Sequence, residues 1–114
     1  MNVHFWIERV CACHPKALIL REKDLPEEEY FLLAKDVLGI CRQYQVSCIL
    51  HTYVEAARKL GHPCIHLPLF LLEKYQGKLD DFQRIGCSVH SVEDALKAQQ
   101  LGATYVTAGH IYTT

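Results

Sequence analysis

Between Gly86 and Thr114, polar side chains that could do chemistry follow two short apolar segments. Ser88 and His90 come at the end of the first segment, and His110 follows the second. The pattern predicts a strand, a helix and a second strand, which together form one βαβ unit. In parallel α/β folds the carboxyl ends of the strands build the functional site. This stretch therefore predicts one part of such a site.

A second group of candidates lies near the start of the sequence. Arg21 and Lys23 alternate at the end of an apolar run. Side chains two residues apart in a strand share a face, so both cations can point into one mouth and bind a phosphate or carboxylate. The alternative is a surface ion pair with Glu22 or Asp24.

The other histidines have structural alternatives. His66 lies inside an apolar run, and this favours a hydrogen-bonded core histidine over a catalytic one. His90 could cap the helix that follows it. The segments Cys11–His14 and Cys64–His66 invite a zinc interpretation, but structural zinc sites space paired cysteines by two to four residues. We therefore predict no metal site.

Composition limits the class of protein. The 114 residues predict a single domain over 1–114, and half of them are hydrophobic. A net charge of -1 makes nucleic acid and anionic membranes poor candidate partners. No apolar run approaches the roughly 20 residues of a membrane span. Without a recognisable leader, the six cysteines are expected to be reduced thiols in a cytoplasmic protein.

Short apolar runs and helical patterns alternate along the chain. Five strands are predicted, at 17–20, 46–50, 64–67, 85–89 and 105–108. Helices are predicted at about 5–13, 27–43, 53–60 and 91–101, with a partial helix within 69–82. Asp24 is expected to cap the helix at 27–43, and Ser91 the helix at 91–101.

This alternation predicts an α/β fold with a parallel sheet and right-handed crossovers. Each helix has one apolar face, which favours a barrel wall over an open sheet covered on both sides. The predicted fold is a partial (β/α)8 TIM barrel of about five strands, because a full barrel needs about 200 to 250 residues.

Several motifs occur in an order and at spacings typical of one family. They are Leu20-Arg21-Glu22-Lys23-Asp24-Leu25, Ile49-Leu50-His51, Ile65-His66-Leu67-Pro68, Ser88-Val89-His90-Ser91 and Ala108-Gly109-His110-Ile111. Together they make residues 17–114 resemble the thiamine phosphate synthase/thiazole tautomerase (TenI-type) family of (β/α)8 barrels. The resemblance implies that the five strands are the second to the sixth of the barrel. It also implies that Arg21 and Lys23 match an Arg-x-Lys pair that contacts pyrophosphate.

The resemblance further implies a choice between two reactions. The synthases hold Mg²⁺ with carboxylates after their third and fourth strands, whereas this sequence has His51-Thr52 and the apolar run 67–72 there. This departure favours the tautomerase reaction without a cofactor, and Mg²⁺ is expected only if the chain is a synthase.

In the tautomerase interpretation His90 is the general acid and base, because histidine transfers protons near neutral pH. Ser88 could donate a hydrogen bond to the substrate. His51 and His110 are candidates for carboxylate contact or proton relay. Thr114 matches a family threonine whose hydroxyl faces the substrate.

Three functional hypotheses stay open. The first is a thiazole tautomerase acting on thiazole phosphate, and the second is a synthase that couples the pyrimidine pyrophosphate with thiazole phosphate. The third is a scaffold without catalytic activity. A partial barrel exposes edge strands and an apolar inner face, so a homo-oligomer that covers the open barrel face is also expected.

Overall fold

Apolar segments of two periodicities build alternating helices and strands in the computed structural model, which describes residues 3–22 and 24–108. The elements are α1 (Val3–Ala12), β1 (Ala17–Leu20), α2 (Glu27–Tyr44), β2 (Ser47–His51), α3 (Val54–Lys59), β3 (Cys64–Pro68), α4 (Leu69–Lys74), β4 (Arg84–Val89), α5 (Val92–Gln100) and β5 (Tyr105–Ala108). The predicted elements are confirmed, with ends that differ by one or two residues, and α4 occupies only the first part of 69–82.

The five strands within the described residues are parallel, and their order in the sheet is their order in the chain. Each neighbouring pair is therefore joined by a helical crossover, the arrangement of a barrel wall. The predicted fold class, a partial (β/α)8 barrel, is confirmed. The first and last strands of the described sheet are β1 and β5.

The hydrophobic core lies between the outer face of the sheet and the helices. Successive strand residues point to opposite faces, and the fully buried outward set consists of Leu50, Ile65, Leu67, Cys87 and Val89. The apolar stripe of α2, including Ala34, Val37 and Cys41, is buried against this face. Within the described part of the chain, no helix is both long and apolar enough to cross a membrane.

The thiols contribute to this core. The Sγ atoms of Cys11 in α1 and Cys41 in α2 lie 3.8 Å apart, and both residues are buried. All six cysteines are free thiols, and burial raises the pKa of Cys41 to about 11. Cys41 is therefore a protonated, small apolar group in the core at neutral pH.

The two predicted helix caps have different outcomes. The Ser91 hydroxyl accepts a hydrogen bond from the backbone N–H of Asp94 at 3.0 Å, which confirms this cap. The prediction for Asp24 is wrong, because Pro26 is the N-cap of α2 and makes no side-chain capping hydrogen bond. The Pro26 carbonyl accepts the N–H of Tyr30 at 2.9 Å, and three glutamates, Glu27–Glu29, occupy the first turn, where negative charge is favourable.

At the edge of the sheet where the strands begin, Arg58 makes several polar contacts. The Arg58 guanidinium lies 2.9 Å from Asp81 and 2.7 Å from Glu55, and it also donates to the Lys78 carbonyl. These contacts join α3 to the segment that leads into β4, and the guanidinium stacks over Phe82. Since the pairs are largely exposed, they orient this loop more than they stabilise the fold.

The carboxyl edge is organised by a buried tyrosine of α2. The Tyr30 hydroxyl donates to the Leu20 carbonyl at 2.7 Å and accepts the backbone N–H of His51 at 2.9 Å. These two groups would form the next ladder bond between β1 and β2, whose register ends at Leu20 and Leu50. The phenol therefore stands between the two strands at the point where the chain leaves the sheet.

We expect Tyr30→Phe to lower the free energy of unfolding by about 1–3 kcal/mol, because it leaves the buried Leu20 carbonyl and the partly buried His51 N–H without this partner. Urea denaturation measures this change. Tyr53→Phe is the matched control: its hydroxyl donates a single bond to the Leu25 carbonyl at 2.6 Å, so the expected loss is about 0.5–1.5 kcal/mol. An unchanged stability of Tyr30→Phe would mean that β1 and β2 close to form the direct bond, contrary to this account.

Candidate functional site

A cavity of about 690 Å³ lies at the carboxyl edge of the sheet, on its inner face. It is lined by strand-end and loop residues: Ile19, Arg21, His51, Thr52, His66, Pro68, Phe70, Leu71, Ser88, His90 and Thr107. The side chains include one strong cation, three imidazoles and three hydroxyls. This combination suits a ligand that carries both an anionic group and an apolar ring.

One row of residues crosses the inner face from β2 to β5. His51 is paired with His66, His66 with Gly86, and Gly86 with Tyr105. Neighbouring strands are about 4.8 Å apart, so His66 and Tyr105 belong to strands separated by twice that spacing. They meet above Gly86, which has no side chain. A Cβ atom at this position would collide with both the Tyr105 ring and the His66 imidazole. The missing side chain at Gly86 is therefore what brings the two rings together, with centroids 5.6 Å apart.

His66 is the centre of the polar contacts in this row. Its Nε2 lies 2.8 Å from Ser88 Oγ and 3.4 Å from Thr107 Oγ1, and its Nδ1 lies 3.2 Å from the Tyr105 hydroxyl. The imidazole is 3% exposed and stacks on His51 at 5.2 Å. The predicted buried, hydrogen-bonded histidine fits these contacts, and the same side chain also lines the cavity.

The two stacked imidazoles are neutral at physiological pH. Burial lowers the pKa of His51 to about 4, and the neighbouring His66 imidazole and the positive charge of Arg21 act in the same direction. Burial and the positive charge of Arg21 also lower the pKa of His66. A neutral imidazole can donate one hydrogen bond and accept another. These two side chains can therefore orient a ligand through hydrogen bonds, without carrying a positive charge.

The junction between β2 and α3 has an unusual backbone. Thr52 has φ 74°, a left-handed value that is rare for a β-branched residue. Its N–H donates to the His66 carbonyl at 3.0 Å, and its hydroxyl lies 2.6 Å from His51 Nδ1. Such strain persists where surrounding contacts determine the conformation, and it is common at ligand sites.

The predicted site residues fall into two groups. Arg21, His51, Ser88 and His90 all line the one cavity, as does His66. The backbone N–H of His90 donates to Asp94 Oδ2 at 3.4 Å, while Ser91 is the N-cap of α5, so the alternative of His90 as the helix cap is wrong. The other group, Lys23, His110 and Thr114, lies outside the described residues.

Sequence reasoning missed two parts of this arrangement. It assigned no role to Tyr105 or Gly86, although both lie in the same row as His66. The available signal was the single glycine inside the predicted strand at 85–89, because such a glycine often marks a close approach of neighbouring groups. A second depression, of about 400 Å³, lies between α2 and α3 and is lined by Glu27 and Lys59 among others. It lies on the helical side, and none of its lining residues lines the cavity on the inner face.

We expect the free energy of unfolding to fall as the pH is lowered from about 6.5 to about 4. In this window the unfolded chain binds a proton at His51, whose ordinary pKa is 6.5, and the folded chain does not. His66 acts in the same direction. Urea denaturation at several pH values measures the slope, and His51→Gln is expected to reduce it. An equal slope in this variant would contradict the assignment of a depressed pKa to His51.

Known proteins resemble this chain in sequence and in fold. A family profile described as thiamine monophosphate synthase matches residues 1–114. A thiamine-phosphate synthase of Clostridium tetani is 34% identical over 100 residues, which is 83% of this chain and 46% of that protein. One from Fusobacterium nucleatum is 32% identical over 101 residues, covering 87% of this chain and 49% of that protein.

The solved thiamine phosphate pyrophosphorylase from Pyrococcus furiosus matches the fold with a TM-score of 0.77 and 23% sequence identity. The match covers 99% of this chain and 56% of that one. The chain thus spans about half the length of the relatives it matches. Over this length, it belongs to the thiamine monophosphate synthase (TMP-TENI) family.

Proposed function

We propose that this chain acts in the formation of thiamine phosphate and binds the pyrimidine pyrophosphate and the thiazole phosphate in the cavity at the carboxyl edge of the sheet. The names of the relatives support the coupling reaction. The observation that carries the proposal is the convergence of Arg21, His51 and Ser88 on one cavity in a member of this family.

In this proposal Arg21 binds the phosphate or pyrophosphate group. It is the one Lys or Arg side chain that lines the cavity within residues 3–22 and 24–108. A guanidinium donates two parallel hydrogen bonds to an anion and keeps its charge at every physiological pH. The apolar side chains of Ile19 and Phe70 offer a surface to the heterocyclic ring, and Ser88 offers a hydroxyl.

The cavity is a poor match for Mg²⁺, which prefers several oxygen ligands and usually one or two carboxylates. No carboxylate is among its described lining residues, where His51, Thr52 and Pro68 stand at the relevant strand ends. In the proposed reaction, Arg21 therefore offsets part of the negative charge on the departing pyrophosphate, and no step is assigned to a metal.

The tautomerase reaction is the second candidate. Two observations favour it, the position of His90 on the cavity wall beside Ser88 and the absence of carboxylates from the described lining. His90 would remove a proton from the thiazole ring and return it at another position, so that the ring becomes aromatic.

Parallel assays separate the two reactions. Coupling is followed as thiamine phosphate and released pyrophosphate, with and without Mg²⁺. Tautomerisation is followed on the thiazole carboxylate phosphate with wild type and His90→Gln. Aromatisation that His90→Gln abolishes, without any coupling, would replace the first proposal by the second. No turnover of either substrate would leave a scaffold without catalytic activity.

We expect Arg21→Ala to lower kcat/KM for coupling by about 10- to 100-fold, because a hydrogen bond to a charged group contributes about 1.5–3 kcal/mol. Arg9→Ala is the matched control: Arg9 lies over Phe5 on α1, away from the cavity, and its loss should leave the rate unchanged. Equal rates for wild type and Arg21→Ala would contradict the role of Arg21.

We also propose that a second copy of the chain covers the inner face. Ile19, on this face, is 46% exposed, and Phe70, at the cavity mouth, is 69% exposed. Edge strands and apolar patches of this kind favour association.

A cytoplasmic location stays a prediction.

We expect light scattering after size exclusion to give at least twice the monomer mass of 13.1 kDa. Ile19→Glu should shift the equilibrium towards the monomer, because association would bury an unpaired charge. Leu32→Glu, at an exposed position on the outer side of α2, is the control. A monomeric wild-type protein at high micromolar concentration would contradict this assembly.

A further inference from the structure

Tyr105 and His66 form a hydrogen-bonded pair that the proposed reaction does not itself require. The pair lies on the inner face, and its contacts run in one line from the Tyr105 hydroxyl through His66 Nδ1 and Nε2 to Ser88 Oγ. Of these three residues, Ser88 and His66 line the cavity. The direction of the line therefore decides what Ser88 can offer to a ligand.

Two tautomers of a neutral His66 give opposite directions. If Nδ1 carries the proton, it donates to the Tyr105 oxygen, and Nε2 accepts from the nearer of its two hydroxyl neighbours, Ser88 at 2.8 Å and not Thr107 at 3.4 Å. Ser88 can then only accept from a ligand. If Nε2 carries the proton, Tyr105 donates to Nδ1, Nε2 donates to Ser88, and the Ser88 proton is available to a ligand in the cavity.

The contacts of Tyr105 favour the second direction. Within the described residues, His66 Nδ1 is the side-chain acceptor that the Tyr105 hydroxyl reaches, at 3.2 Å. In the first tautomer the phenolic proton has no such acceptor, which is costly for a partly buried donor. Burial raises the pKa of Tyr105 and lowers that of His66, so both groups are in their neutral forms at pH 7.

We propose that Tyr105 is a positioning residue that fixes His66 in the Nε2–H tautomer and thereby presents the Ser88 hydroxyl as a hydrogen-bond donor to an anionic oxygen of a phosphate ester or pyrophosphate. Gly86 makes this relay possible, because any side chain there would separate the two rings. Only the last step, donation to the anion, rests on the proposed function.

The His66 tautomer is measured by two-bond ¹H–¹⁵N NMR spectra of the ligand-free protein labelled with ¹⁵N-histidine. The His66 signals are identified by their loss in His66→Gln. In wild type we expect a protonated Nε2 and an unprotonated Nδ1 that accepts a hydrogen bond. A protonated Nδ1 would overturn the proposal. Because the tautomer is measured in the wild-type protein, this result does not depend on the folding of a variant at position 105.

Tyr105→Phe tests the cause. The variant keeps the ring that packs over Gly86 and removes only the hydroxyl, so we expect a mixture of the two tautomers. Tyr75→Phe, which removes a hydroxyl that does not line the cavity, should keep the wild-type spectrum. A Tyr105→Phe spectrum identical to wild type would overturn the role of Tyr105.

Titration with inorganic pyrophosphate separates this inference from the proposed function. We expect Tyr105→Phe to weaken binding by about 3- to 10-fold, since a typical net hydrogen bond is worth about 0.5–1.5 kcal/mol. A wild-type protein with the Nε2–H tautomer that fails to bind pyrophosphate would support the relay and contradict the proposed function. Equal affinity of wild type and Tyr105→Phe would contradict the link from the tautomer to Ser88.

Discussion

The inner face of this sheet depends on the absence of a side chain at Gly86. Residues in register on neighbouring parallel strands share a face, so His66, Gly86 and Tyr105 form one row. Because the central position has no side chain, the two outer rings lean over it and meet. This contact carries the hydrogen bonds that continue to Ser88, so the polar centre of the cavity follows from packing around a single glycine.

The two edges of the sheet use their polar groups differently. At the amino edge, Arg58 binds acidic side chains that are exposed to solvent, which orients a loop. At the carboxyl edge, buried Tyr30 bonds backbone atoms of β1 and β2, immediately before Arg21 and at His51. Buried contacts therefore fix the backbone that carries Arg21 and His51 at the carboxyl edge. A binding site needs such rigid support for its side chains.

The sequence predicted the elements well, because strand and helix periodicities are local. It also predicted that Arg21, His51, Ser88 and His90 share one edge, since parallel strands align their carboxyl ends. The place of His66 was harder to assign: an apolar neighbourhood describes its burial, but its partner Tyr105 is 39 residues away in sequence. The contacts of the Tyr30 hydroxyl, which join the start of α2 to β1 and β2, were not predicted either, because they too are tertiary.

The central claim is that phosphorylated precursors bind at the carboxyl edge of the sheet. Backbone amide shifts in ¹H–¹⁵N spectra during titration with thiazole phosphate test it most directly. We expect the changes to concentrate at Arg21, at His51 and Thr52, and at Ser88–His90. Changes confined to the depression between α2 and α3, or none at millimolar ligand, would contradict it.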